Sequence, residues 1–256
     1  MSDIVRYEQK GAIAVITLNR PDSMNAFQTE LRAAVHEAFE RARDDAAVRA
    51  VVFTGEGRCF SAGADLKAGI DRDVREILQS EYRPILEIIA DIPKPAIAAI
   101  PGSAAGIGMS MALQCDLVLM ADNAFLLSPF TTISLVPDGG LNWTLVRQLG
   151  YRRAFQLSVE SERISAERCV ELGLANRAVP ADELQSTALE WAETLAERAP
   201  LSLAATKKVM RFAADHGWGD AYDMEAMLQG ELLGSEDNKE GIQAFLEKRA
   251  PTFKGK

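Results

Sequence analysis

Histidine is nearly missing from these 256 residues: there are only two, His36 and His216. Both fall on expected amphipathic helices, so a Ser-His-Asp relay has no credible imidazole. Cysteine is almost as sparse, and Cys59, Cys115 and Cys169 show no paired spacing. That excludes a disulfide framework and a thiolate metal site. Basic charge is short too, with 28 Lys and Arg against 37 Asp and Glu and a formal net charge of −9. An acidic chain without a basic run is a poor partner for nucleic acid or for an anionic membrane surface. No apolar run approaches the ~18 residues needed to span a bilayer. The opening Met1-Ser2-Asp3-Ile4-Val5-Arg6 has neither a signal-type apolar core nor an Arg-rich transit pattern. The expectation is a cytoplasmic protein that binds neither nucleic acid nor membrane. No dinucleotide fingerprint follows a strand, and there is no P-loop.

What the chain has is apolar bulk and glycine turns. Hydrophobic residues make up 48% of it, enough for one large core or a core with an appended subdomain. Two small-residue segments stand out: Ser61-Ala62-Gly63-Ala64-Asp65 and Gly102-Ser103-Ala104-Ala105-Gly106-Ile107-Gly108. Each follows a run that reads as a buried strand, 50–54 and 96–100, and each leads into a helical pattern. Small residues at a strand-to-helix turn leave backbone N–H groups uncovered, and a helix N-terminus adds partial positive charge. Two such turns side by side would supply paired donors to a developing oxyanion. Taken singly, either turn is equally a packing solution.

Short strands at 5–8 and 12–18 join at Lys10-Gly11 as a hairpin. Apolar spacing predicts helices at 29–43 and over about 72–91, and a further strand at 117–120. Strand–strand–helix units at intervals imply a layered or spiral α/β core. Beyond about residue 180 the pattern is wholly helical, with helices expected at 182–198, 201–215, 220–233 and 235–249.

Read together, the motifs resemble the crotonase (enoyl-CoA hydratase/isomerase) superfamily over nearly the whole chain. They run from Leu18-Asn19-Arg20-Pro21-Asp22-Ser23-Met24-Asn25-Ala26 through Phe60–Leu66, Lys94–Gly102, Cys115-Asp116 and Leu135–Gly140 to Glu240–Arg249. The resemblance implies an α/β spiral of repeated ββα units over 1–195. It also implies a helical trimerisation region over 196–256, in a homotrimer or dimer of trimers. An acyl-CoA thioester is the implied substrate, with coenzyme A as part of it and no metal or other cofactor. The backbone N–H groups of Ala64 and Ile107 would form the oxyanion hole. Ile107 stands where the family usually has glycine.

The carboxylates depart from the hydratase pattern. Hydratases of the family place one Glu at the position of Ser110 and another at the position of Phe130, so both are absent here. Asp138 follows Pro137 and precedes Gly139-Gly140, at the place where isomerase branches use an Asp for proton transfer. It could equally cap the helix 141–149. Its neighbours Phe130, Ile133, Leu135 and Val136 are apolar and would raise its pKa. Moving a double bond needs only a proton removed at one carbon and returned at another, work that one carboxylate can perform.

For coenzyme A the resemblance implies Met24, Ala26, Ala62 and Leu66 around the adenine. Phe245 and Lys248 would reach the phosphates or ribose, often across a subunit boundary. Lys67 and Arg20 are further electrostatic candidates, Asp65 is expected to cap, and Asp116 to serve structure. The acyl pocket would draw on 77–85, including Tyr82, with Phe130 and Trp143. The implied reaction is Δ3 to Δ2 isomerisation of an enoyl-CoA. Alternatives are 2-enoyl-CoA hydration, a catalytically weak acyl-CoA-binding subunit, and thioester hydrolysis or dehalogenation with Asp138 as nucleophile.

Overall fold

Each turn of the chain lays one strand in each of two sheets. The computed structural model describes residues 4–67 and 72–256; Met1 to Asp3, part of the N-terminal segment read above, lie outside them. β1 (Val5–Lys10) and β2 (Ile13–Leu18) form an antiparallel hairpin, with Gly11 at φ +58° in its turn. β3 (Ala50–Gly55) then pairs parallel to β2. β4 (Cys59–Ser61) leaves for the second sheet. β5 (Ala96–Ile100) returns to the first sheet, β6 (Ser103–Ala105) to the second, and β7 (Leu117–Ala121) and β8 (Phe125–Leu127) repeat the step. β9 (Ile164–Ser165) and β10 (Arg177–Val179) complete the orders β1-β2-β3-β5-β7-β10 and β4-β6-β8-β9. This is the expected spiral.

β2, β3 and β5 are buried at every residue. A sheet buried on both faces needs continuous apolar runs, and these strands supply them. α1 (Thr29–Asp44) packs on β1 and β2. Phe39, Phe53 and Phe60 meet edge to face, with centroids 5.2 and 4.9 Å apart. Phe60 immediately precedes the first glycine turn, so the core anchors that turn directly.

The helix expected over 72–91 is interrupted. α2 (Val74–Ile77) passes into a π-turn at Leu78–Tyr82 and then into α3 (Arg83–Asp91). Arg83 N–H donates to the Leu78 carbonyl, five residues back. Pro84 explains the break: it has no N–H to give, and its ring crowds the carbonyl four residues before it.

α4 (Ile107–Gln114), α5 (Leu141–Leu149), α6 (Tyr151–Glu160) and α7 (Ala166–Glu171) follow the strands. α8 (Leu184–Ala196) lies across β2, β3, β5 and β7. α9 (Pro200–Ala213), α10 (Trp218–Leu232) and α11 (Glu236–Glu247) complete the helical tail. α9 is tied to the core through Asp116, which accepts from Lys207 Nζ at 2.8 Å, Arg211 at 3.2 Å and the Ala96 N–H at 2.9 Å. Among the described residues no helix is long and apolar enough to cross a membrane.

Candidate active site

The two glycine turns touch backbone to backbone. A Cβ placed on Gly63, which sits at φ +99°, would lie 3.0 Å from the Ala105 carbonyl oxygen and 3.6 Å from Gly106 Cα. Only glycine permits both that conformation and that approach. Ala64 is framed by Phe27, whose N–H donates to Gly63 (2.8 Å) and whose carbonyl accepts from Asp65 (3.0 Å). That parallel bridge leaves the Ala64 N–H directed away from Phe27. Ile107 opens α4, where the first four N–H groups have no helical acceptor. Among the described residues neither N–H donates to any group, and both residues line one cavity of about 380 Å³. The donors that the sequence pointed to are therefore adjacent.

Asp138 faces the same cavity. Its Oδ1 is buried and has no hydrogen-bond partner among the described residues. Burial pushes the carboxyl up to about 6. The capping alternative fails: the N-cap of α5 is Gly140, and Asp138 meets that helix only through its backbone carbonyl, which accepts from Leu141 N–H at 3.1 Å. The same carbonyl accepts from Ser110 Oγ at 3.0 Å. Gly139 follows at φ +63°, where a Cβ would lie 2.3 Å from Ile107 Cδ1 and 2.9 Å from Ser110 Cβ. Asp138 is thus held against the start of α4 by its backbone while its side chain stays free.

Phe130, Ile133 and Leu135 line the cavity as expected, but Val136 is 72% exposed and does not. Glu30 and Asp65 also border the cavity. Glu30 is exposed, whereas Asp65 pairs with Arg20 at 3.4 Å and accepts from the Lys67 N–H at 3.2 Å. Asp65 therefore ties a turn. Arg20 is engaged with Asp65 and with the Ala26 carbonyl, and Lys67 is exposed beside them.

Of the residues implied for coenzyme A, Ala62 and Leu66 line the cavity, and Leu66 is exposed. Met24 and Ala26 adjoin it through the loop ending at Phe27. Ala62 N–H donates to the Met24 carbonyl at 2.9 Å. Phe245 and Lys248 lie at the end of α11 and are not brought to the cavity within one chain; Phe245 is 83% exposed. Trp143, expected in the acyl pocket, instead faces a second cavity, because α5 turns its Nε1 to donate to Asp215 at 3.3 Å. Cys59, Cys115 and Cys169 are all buried, and burial pushes each thiol up, the last two to about 12, so none is a ready nucleophile.

Several site residues escaped the sequence reading. Arg32, only 8% exposed, donates to Glu81 at 2.7 Å, Thr29 Oγ1 at 2.9 Å and Tyr82 Oη at 3.3 Å. An Arg within an amphipathic helix gives no such signal in sequence. Asn25 is fully buried and donates to the Cys59 carbonyl at 2.9 Å, while Ser61 Oγ donates back to the Asn25 carbonyl at 2.8 Å. Asn25 stands in the Leu18–Ala26 motif, but nothing in that pattern shows that a φ of +53° buries its side chain.

A spiral of paired sheets, with two backbone donors and a buried carboxyl around one cavity, defines a protein of the crotonase superfamily. The comparisons agree. The family model described as Enoyl-CoA hydratase/isomerase matches residues 8–256. A Rhodobacter capsulatus protein named "Probable enoyl-CoA hydratase" is 41% identical over 98% of each chain. An Escherichia coli protein named "1,2-epoxyphenylacetyl-CoA isomerase" is 34% identical over 100% of each. The solved enoyl-CoA hydratase of Bacillus anthracis superposes with a TM-score of 0.95 at 32% identity, covering 99% of this chain and 100% of its own. This chain belongs to the enoyl-CoA hydratase/isomerase family and is an acyl-CoA enzyme of it.

Proposed function

We propose that this enzyme shifts the double bond of a 3-enoyl-CoA to the 2-position, with Asp138 as its single acid/base. The observation that carries the reading is the buried, unpartnered Oδ1 of Asp138 in a cavity that Phe130 lines at one hydratase carboxylate position, while Ser110, at the other, is hydrogen-bonded to the Asp138 carbonyl. The thioester oxygen would accept from the N–H groups of Ala64 and Ile107, which acidifies the α-carbon. Asp138 takes the α-proton, leaving a dienolate on the oxyanion donors, and returns that proton to the γ-carbon. A carboxyl near pKa 6 is mostly ionised at neutral pH and, once protonated, is a competent donor. The substrate supplies all the atoms, with no water consumed and no further cofactor required.

The test is incubation with a 3-enoyl-CoA while following absorbance of the conjugated 2-enoyl thioester. Its appearance, reduced by ~10²–10⁴ in Asp138→Asn, is the expected result. Hydration of a 2-enoyl-CoA with no isomerisation would overturn it in favour of the hydratase reading, which the printed names of several relatives favour.

A homotrimer or dimer of trimers goes with this reading. It is supported by Trp218, Leu233, Phe245 and Leu246, all at least 70% exposed on the helical tail. Phe245 and Lys248 would then reach coenzyme A bound to a neighbouring subunit. A cytoplasmic location is supported by three cysteines that are free and buried.

A further inference from the structure

Two cavities meet at one wall. The site cavity of about 380 Å³ and a second of about 550 Å³ share two lining residues, Leu78 and Tyr82. These are the first and last residues of the π-turn between α2 and α3. Residues four apart lie on one face of a helix, and this turn sets its face between the two spaces. π-turns of this kind recur at functional sites.

Tyr82 is 5% exposed and tightly held. Its hydroxyl accepts from Arg32, whose guanidinium carbon sits 4.9 Å from the ring centroid, and Phe27 meets the ring edge-on at 6.2 Å. Arg32 is itself fixed by Glu81 and Thr29. The ring is therefore a rigid partition. On its other side the second cavity offers Leu86, Ala90 and the Trp143 ring as apolar surface, in a lining that also carries Arg83, Glu87, Asp91, Arg211 and Asp215.

We propose that Tyr82, carried on the π-turn, sets the acyl-length limit of this enzyme: short acyl chains end against its ring, and the second cavity is an extension closed to longer tails until that ring is removed. The proposal rests on the acyl-CoA reading of the site but not on which reaction follows.

The experiment is calorimetric titration of the full-length protein with hexanoyl-, decanoyl- and tetradecanoyl-CoA, saturated probes that undergo neither isomerisation nor hydration. In the wild type, affinity should stop rising between hexanoyl- and tetradecanoyl-CoA. In Tyr82→Ala, tetradecanoyl-CoA should bind ~10²-fold tighter than it does to the wild type, since each newly buried methylene multiplies affinity about fourfold. Tyr82→Phe keeps the ring and should keep the wild-type cutoff. Leu78→Ala thins the same wall, so it should move the cutoff in the same direction if Tyr82→Ala does not fold. An unchanged length profile in the variants that fold, or a wild type that gains steadily through tetradecanoyl-CoA, overturns the proposal. Absence of binding by all three probes overturns the acyl-CoA reading and this proposal with it.

Discussion

Asp138 is a costly residue to fold. Its carboxyl is raised from 3.8 to about 6 because burial penalises the charged form and no donor compensates. The folded chain therefore holds the proton more tightly than the unfolded one. Stability from this group is fully present below pH ~4 and is lost as pH rises through about 6. Asp138→Asn, neutral at every pH, should accordingly be more stable than the wild type at pH 8, by at most about 2–3 kcal/mol. Denaturant titrations should find that gain shrinking toward pH 4. The same titration governs activity: kcat/KM for a 3-enoyl-CoA should fall tenfold per pH unit below about 6 and level off above it. A profile flat from pH 5 to 8 would remove Asp138 as the base. Ser110 is a positioning residue, since its hydroxyl donates to the Asp138 carbonyl. Ser110→Ala should lower kcat by roughly fivefold, in line with a hydrogen bond of ~1 kcal/mol. KM should change little and the pH midpoint should move, whereas a purely structural role would lower Tm alone.

Elements matter here through the places where they meet. β4 and β6 pair in parallel, so the turns that follow them emerge side by side, and Gly63 lets them close to backbone contact. Gly63→Ala should separate them, because its φ of +99° and the 3.0 Å approach to Ala105 both oppose a Cβ. The expected outcome is a folded protein by circular dichroism with kcat down ~10²–10³, the loss typical of one oxyanion donor. These turns were legible in sequence because both their strand lead-ins and their small residues are local patterns. The π-turn was not. Apolar spacing across 72–91 reads as one helix; Pro84 is a break signal in the sequence itself, but it does not say that the break takes the form of a π-turn. Trp143 was misplaced for a related reason: its helix was found, but the face that helix shows to each cavity depends on packing.

The whole molecule combines a two-sheet spiral with a helical tail whose apolar residues face outward. In the proposed trimer these exposed aromatic and aliphatic groups form the association surface. Light scattering should return a multiple of the chain mass for the wild type. The double variant Ile242→Glu, Leu246→Glu should return the single-chain value and, on the proposed trimer, weaken coenzyme A binding, since Phe245 and Lys248 do not line the cavity of their own chain. Retention of the assembly by that variant would move the interface elsewhere.

The choice of Asp138 came with the family resemblance, while the sequence by itself determined the class of architecture, the four helices of the tail and the two small-residue turns. These follow from short-range patterns: apolar runs, turn residues and residue spacing. It left undecided whether Asp138 capped a helix or served as a base, because both demand the same residue at the same position. Tertiary structure removed the cap, since the N-cap of α5 is Gly140. Gly139 packs on Ile107, Ser110 takes up the Asp138 carbonyl, and the carboxyl is left buried without a partner. Burial raises its pKa, and that burial combines near neighbours such as Phe130 and Leu135 with contacts to α4 about 30 positions away, which only the fold brings together.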